Sequence, residues 1–166
     1  MDWKHHVVCK LVWTVLRIYV GWQWLSSGLE KTFGEQSSMW IGEKAGGAVS
    51  GFLTGALQKT GGAHPDVQWW YAYFIQHVAM PNAKLFSYMI AWGEVLVGIA
   101  LITGLLTTIA LLAGVLMNLN YLLAGTVSIN PVLLALEAIL LWVGSAAYEW
   151  GIDRIFLPRW RRKKWQ

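Results

Sequence analysis

Arg17, Glu94 and Glu137 lie inside long apolar stretches of this sequence, where a charge costs at least about 2.5 to 3.5 kcal/mol to insert into lipid. Side chains of that kind need a partner or a task. Arg17 is about ten residues into its stretch and Glu94 about ten into its own, so the two are expected at similar depth as an ion pair. Gln23, Asn118, Asn120 and Glu137 fall within about six residues of the other ends of their stretches, and together they would line a polar funnel. No basic residue of the second to fourth stretches lies at the depth of Glu137. It could hold or pass a proton, or sit as a neutral acid bonded to Asn118 or Tyr121. Trp22 and Trp24 flank Gln23, and beside their packing role they could clamp a flat ring.

Four helices must position these groups. The expected spans are 7–27, 85–103, 105–124 and 131–148, each near the roughly 20 apolar residues that cross a hydrocarbon core. The expected fold is an all-α membrane protein: an antiparallel four-helix transmembrane bundle with an extracytoplasmic loop, 28–84, that contains short interfacial helices. The connections at Gly104 and at 125–130 are short, so consecutive helices must be antiparallel neighbours. A single domain accounts for residues 1–166, including a basic tail at 149–166. The first stretch is too long and too polar for a signal peptide core, and is expected to stay as a helix.

Composition agrees with an apolar solvent. Hydrophobic residues make up 56% of the chain and charged residues 13%, about half the soluble norm of roughly 25%, with a mean hydropathy of +0.44. The net charge of +4 does not point to nucleic acid, because its excess lies at Arg154, Arg159, Arg161, Arg162, Lys163 and Lys164, beyond the last span. The two termini carry eight Lys and Arg against four in the long loop, which predicts cytoplasmic N and C termini. In that loop His64 and Pro65 resemble a helix start ahead of the aromatic run Trp69, Trp70, Tyr71, Tyr73 and Phe74, read as a helix in the membrane interface.

Spacing of three and four places Lys10, Thr14, Arg17, Gly21, Trp24 and Gly28 on one stripe of the first helix. The same rule gives Ser87, Ala91, Glu94 and Gly98 on the second, Thr107, Ala110, Gly114, Asn118, Tyr121 and Gly125 on the third, and Glu137, Leu141, Gly144 and Tyr148 on the fourth. Small residues on such faces let helices approach closely in lipid. Cys9 is the single cysteine and His5, His6, His64 and His77 all lie outside the spans' interiors, so no dithiol chemistry, metal site, haem or flavin is expected within the chain.

The stretches GWQWLSSGLEK (Gly21 to Lys31), SGFLTGAL, HPDVQWWYAYF, PNAKLFSYMIAWGEVLVGIALITGL, MNLNYLLAGTVSINP and GIDRIFLP make the chain resemble the DoxX and DoxD family of small bacterial and archaeal membrane proteins. The resemblance covers nearly the whole chain. It implies a four-helix protein of the prokaryotic plasma membrane and, through the family's name-giving member, a subunit that passes electrons from thiosulfate or another small reductant to quinone. A quinone site needs an apolar slot, donors to the ring oxygens and an acid to supply protons. Arg17, Glu94 and Glu137 are the candidate catalytic residues. Gln23, Trp24, Lys31, Asn118, Asn120 and Tyr121 are the candidates for binding the quinone, Lys31 because it closes the first matching stretch. The expected partners are the lipid bilayer, the quinone, a redox partner subunit and, as an open option, further copies of the chain in a homo-oligomer. Two other readings stand beside this one: a non-catalytic anchor or assembly partner for a soluble redox enzyme, and a small-solute or proton pathway.

Overall fold

The computed structural model describes Val7–Ile155, all of it helix, turn or irregular chain with no strand among the described residues. Helix α1 spans Val7–Phe33, α2 Ser37–Trp40, α3 Gly47–Leu57, α4 Trp69–Phe74, α5 Ala83–Thr103, α6 Thr107–Leu123 and α7 Asn130–Val143. A π-helical turn, Ile75–Ala79, continues α4, and a 3-10 turn, Gly144–Tyr148, continues α7. The four long helices pack in a closed circuit: α1 along α5, α5 against α6, α6 against α7 and α7 back against α1.

The expected polar and small stripes are the buried ones. Thr14, Arg17, Gly21, Trp24 and Gly28 are buried on α1; Ser87, Ala91, Glu94 and Gly98 on α5; Thr107, Ala110, Gly114 and Asn118 on α6. On α7 the buried line runs through Leu133, Glu137, Leu140 and Val143, so Leu141 is off it. The glycines matter most between α1 and α5: a Cβ on Gly28 would lie 2.6 Å from the Val95 nitrogen, and one on Gly98 2.5 Å from the Leu25 nitrogen. Only glycine permits that backbone approach.

The opposite faces carry exposed apolar rows, such as Leu85, Met89, Trp92, Leu96 and Ile99 on α5 and Ile109, Leu112, Leu116 and Leu119 on α6. Rows of this length need an apolar surround. Two helical stretches, Ala83–Thr103 and Asn130–Tyr148, are long and apolar enough to cross a membrane, while Thr107–Leu123 is apolar but shorter.

Several boundaries differ from the sequence reading. Helix α1 runs through Gly28 to Phe33, because Gly28 is a packing residue inside it; the long loop therefore begins six residues later than the expected 28. His64 and Pro65 start no helix; the aromatic helix begins at Trp69. Gly144, at φ +60°, ends regular α-helix in the last span. The tail is described only to Ile155, so Arg159, Arg161, Arg162, Lys163 and Lys164 lie outside the described residues, as do Lys4, His5 and His6.

The long loop forms a second apolar core, built from Val49, Leu53, Val67, Tyr71 and Ile75 against the start of α5. Side-chain hydrogen bonds tie it down. Ser87 and Tyr88 donate to the carbonyls of Trp40 and Ile41 at 2.7 and 2.9 Å, Lys59 to the carbonyl of Gly125 at 2.7 Å, and the Tyr71 hydroxyl to the Asn120 side-chain oxygen at 3.1 Å. Burial pushes the Tyr71 hydroxyl up to about 12, so it stays a donor at any physiological pH.

At the far end of the bundle, the Asp153 carboxylate accepts from the backbone N–H groups of Leu106 and Thr107, both at 2.7 Å, and so caps α6 from a distant part of the chain. Gly98→Val should destabilise the protein by about 1 to 3 kcal/mol, whereas Gly51→Val, where a Cβ meets open space, should change little. Thermal unfolding in detergent checks the pair, and equal losses would show that the α1–α5 approach is not the tight contact.

Candidate functional site

A cleft of about 470 Å³ opens between the loop ends of α1, α5, α6 and α7 and the roof made by α2 and α3. The residues that give it chemistry are Lys31, Glu94 and Tyr121. Lys31 donates from Nζ to Glu94 Oε2 and to Ser27 Oγ, each at 2.6 Å, and the Tyr121 hydroxyl donates to Glu94 Oε1 at 2.7 Å. The Lys31 ammonium also stands 5.2 Å from the centre of the Trp40 ring, within cation–π range.

Each position follows from the helices. Ser27 and Lys31 are one turn apart on the last part of α1, and Glu94 is brought up to them because Gly28 lets α5 lie against that turn. Glu94 is 1% exposed and Lys31 16%. The carboxylate is thus inside the protein while the ammonium remains at the cleft wall. A buried charge is tolerable only with such donors.

The ion pair expected between Arg17 and Glu94 does not form. Arg17 lies at the far end, where Nη2 donates to the Trp150 carbonyl at 3.3 Å and the guanidinium feels the charge of Asp153. The two depths differ because α1 extends to Phe33 at the cleft end, further than its apolar pattern implies. The guanidinium is packed against Gly104 and Gly151, where side chains would collide with it. It lies away from the cleft and makes no hydrogen bond to Glu94 or Glu137.

Glu137 sits behind the cleft wall, fully buried. Trp24 donates to its Oε1 at 2.7 Å and Asn118 to its Oε2 at 2.9 Å. Gly114 makes room for the carboxylate, because a Cβ there would overlap it. The expected bond to Asn118 is present, while the alternative partner Tyr121 is committed to Glu94. Trp24 is therefore shared: its ring lines the cleft and its indole N–H holds Glu137.

The remaining candidates divide. Gln23 lines the cleft, but Trp22 is 58% exposed while Trp24 is 2% exposed, since residues two apart on a helix point to opposite sides. They cannot clamp one ring. Asn120 leaves the cleft for the neighbouring cavity under the roof, where its side chain accepts from Tyr71. Ser27, Trp40, Phe52 and Asn130 also stand on the cleft wall, and the sequence pattern alone does not single them out. For Ser27 the signal is its place one helical turn before Lys31. Trp40 and Phe52 come from the loop, whose fold no periodicity announces.

No group of three or more His, Cys, Asp and Glu among the described residues is placed to hold a metal ion. Lys31→Met should cost on the order of 3 kcal/mol by leaving Glu94 buried without its cation, and part of that cost should vanish when Glu94→Gln is added. In a double-mutant cycle the two should couple by at least about 1 kcal/mol, while Arg17→Met and Glu94→Gln should add within about 0.5 kcal/mol. Additive behaviour of the Lys31 and Glu94 changes would refute the pairing.

Residues 12–127 match the sequence profile of the DoxX family. No curated protein matches the chain, and no solved structure does either.

Proposed function

The chain belongs to the DoxX family of membrane proteins, and on that premise we propose that it is the quinone-handling membrane part of an oxidoreductase, with the cleft as the place where the ring is held and protonated. The observation that carries the reading is the Lys31, Glu94 and Tyr121 cluster at the wall of a 470 Å³ cleft. That volume falls within the roughly 300 to 1,000 Å³ usual for small-molecule sites. Its aromatic walls, Trp24, Trp40 and Phe52, suit a flat ring.

A quinone acting as electron acceptor takes two electrons and two protons. The electrons would come from thiosulfate or another small reductant, delivered by a partner subunit, and the chain's own residues would deal with protons and orientation. An ammonium has three donors. Glu94 and Ser27 engage two of those on Lys31, which leaves one for a ring oxygen in the cleft. Tyr121 can pass its proton to a neighbouring acceptor and recover one through Glu94, the group it already bonds. Glu137, one side chain further in, would hold the Trp24 wall in place and stand as a second proton store.

On this reading α1 and α6 cross the bilayer together with α5 and α7, in a prokaryotic plasma membrane, with both termini in the cytoplasm and the roofed cleft at the outer side. The exposed rows on α5 and α6 support lipid contact along the bundle.

Mild purification followed by extraction and mass spectrometry should recover about one quinone per chain, and Lys31→Met should lower that retention at least about tenfold. In native membranes supplied with thiosulfate, sulfite or a thiol, Glu94→Gln should slow quinone reduction by about 10²- to 10⁴-fold while quinone stays bound. Recovery of phospholipid alone would remove the reading.

A further inference from the structure

Beside the cleft lies a second cavity of about 200 Å³, almost wholly apolar, enclosed by α3, α4, the π-helical turn, α5 and α6. The two cavities have four wall residues in common, Val49, Phe52, Ile90 and Tyr121. The partition between them is therefore one side chain thick. At its centre Phe52 meets Tyr121 edge to face, with ring centroids 5.9 Å apart and an interplanar angle of 86°. The far wall of the second cavity includes Met89 and Leu116, which are 59% and 63% exposed on the apolar faces of α5 and α6.

We propose that this second cavity receives the apolar chain of the same ligand whose oxygenated head occupies the cleft, so that the site takes an amphiphile with a flat polar ring and one long apolar chain. The proposal rests on the reading of the cleft as a ring-binding site. The two cavities divide the chemistry accordingly: Lys31, Ser27 and Glu94 face only the cleft, while Leu53, Phe74, Phe86 and Met117 face only the second cavity. The polar atoms on the second cavity's wall are already engaged. Tyr121 bonds Glu94, and Asn120 bonds both Tyr71 and the Leu116 carbonyl. Nothing there recognises a headgroup. The exposed rim at Met89 and Leu116 faces the surround that an apolar chain would come from, and a turn of the Phe52 ring would join the two spaces.

A chain in lipid gains little by moving from one apolar place to another, so location is a better readout than affinity. The probe is a dimethoxy-methyl-benzoquinone with a decyl chain that ends in a photoreactive diazirine, applied to the full-length protein in detergent–lipid micelles. Label is expected on Met89, Leu116 and Met117, and an excess of the same ring without a chain should displace it. Met89→Trp and, independently, Leu116→Trp should fill the rim and lower that label at least about tenfold. Neither residue lines the cleft, so both variants should bind the chainless ring, measured by calorimetry, within about twofold of the parent.

Label scattered over other exposed apolar residues such as Leu96 and Ile109 would overturn the proposal. So would label at the rim that the chainless ring fails to displace, or equal rim labelling by a phospholipid carrying the diazirine on its acyl chain, either of which makes the cavity a general lipid groove. In all three cases, binding of the chainless ring leaves the cleft reading standing. If the chainless ring does not bind at all, the reading of the cleft falls with the proposal.

Discussion

Helices α1 and α5 lie with their backbones in contact, and the charged centre of the protein depends on it. Gly21 and Gly28 on one helix and Gly98 on the other remove the side chains that would hold the axes apart. The gap closes enough for Lys31 and Glu94, 63 residues apart in sequence, to reach hydrogen-bond distance. Wider spacing would strand a carboxylate in an apolar interior, a state that costs several kcal/mol. The helix contact and the ion pair thus require each other: the glycines bring the charges together, and the charges would be intolerable in a bundle that packed less closely.

Glu94 and Glu137 are nearly equal in burial and differ in company. Glu94 is held by an ammonium and a phenol at the wall of an open cleft, whereas Glu137 is held by an indole and an amide, neither of which can give up a charge. Glu94 is therefore reachable from the cleft, while Glu137 lies behind its wall and fixes Trp24. The roof over the cleft is held by backbone carbonyls of α2 and the following residue, bonded to Ser87 and Tyr88, so its position is set by α5 and follows any movement of that helix.

Much of the bundle was legible in the sequence because a helix with a buried face repeats its small and polar residues every three or four positions, and Thr14, Arg17, Trp24, Glu94, Gly98 and Asn118 obey that rule. What could not be read was axial offset. Periodicity says which way a side chain points but not how far one helix is slid along another, and so Arg17 was matched with Glu94 when Lys31 was the neighbour. The apolar run ends at residue 27, although Gly28, already on the packing stripe, is a contact surface inside a longer helix. The loop helices were illegible for a different reason: α3 is apolar with glycines on its open side, and the first turn of α4 carries no capping side chain. Lys31 stands out in the sequence only as the end of a family stretch, because the polar pattern alone places it in the loop; in the structure it lines the cleft.

Asp153 gives the fold a direction in time. The first turn of α6 follows a tight connection with φ of +68° at Gly104 and +51° at Leu106, and the acceptor for its leading N–H groups comes from 46 residues further along the chain. The backbone of Ile152 and Asp153 bonds to Thr103 and Gly104 at the same place. During synthesis α1, α5, α6 and α7 are all made before this segment leaves the ribosome. Until it arrives, the start of α6 keeps its donors unanswered and Arg17 lacks its nearby carboxylate. The assembled bundle is in this sense a knot drawn tight from its last thread, and a nascent chain halted short of Asp153 would have α1 to α7 but no finished hold on the turn that orders two of them.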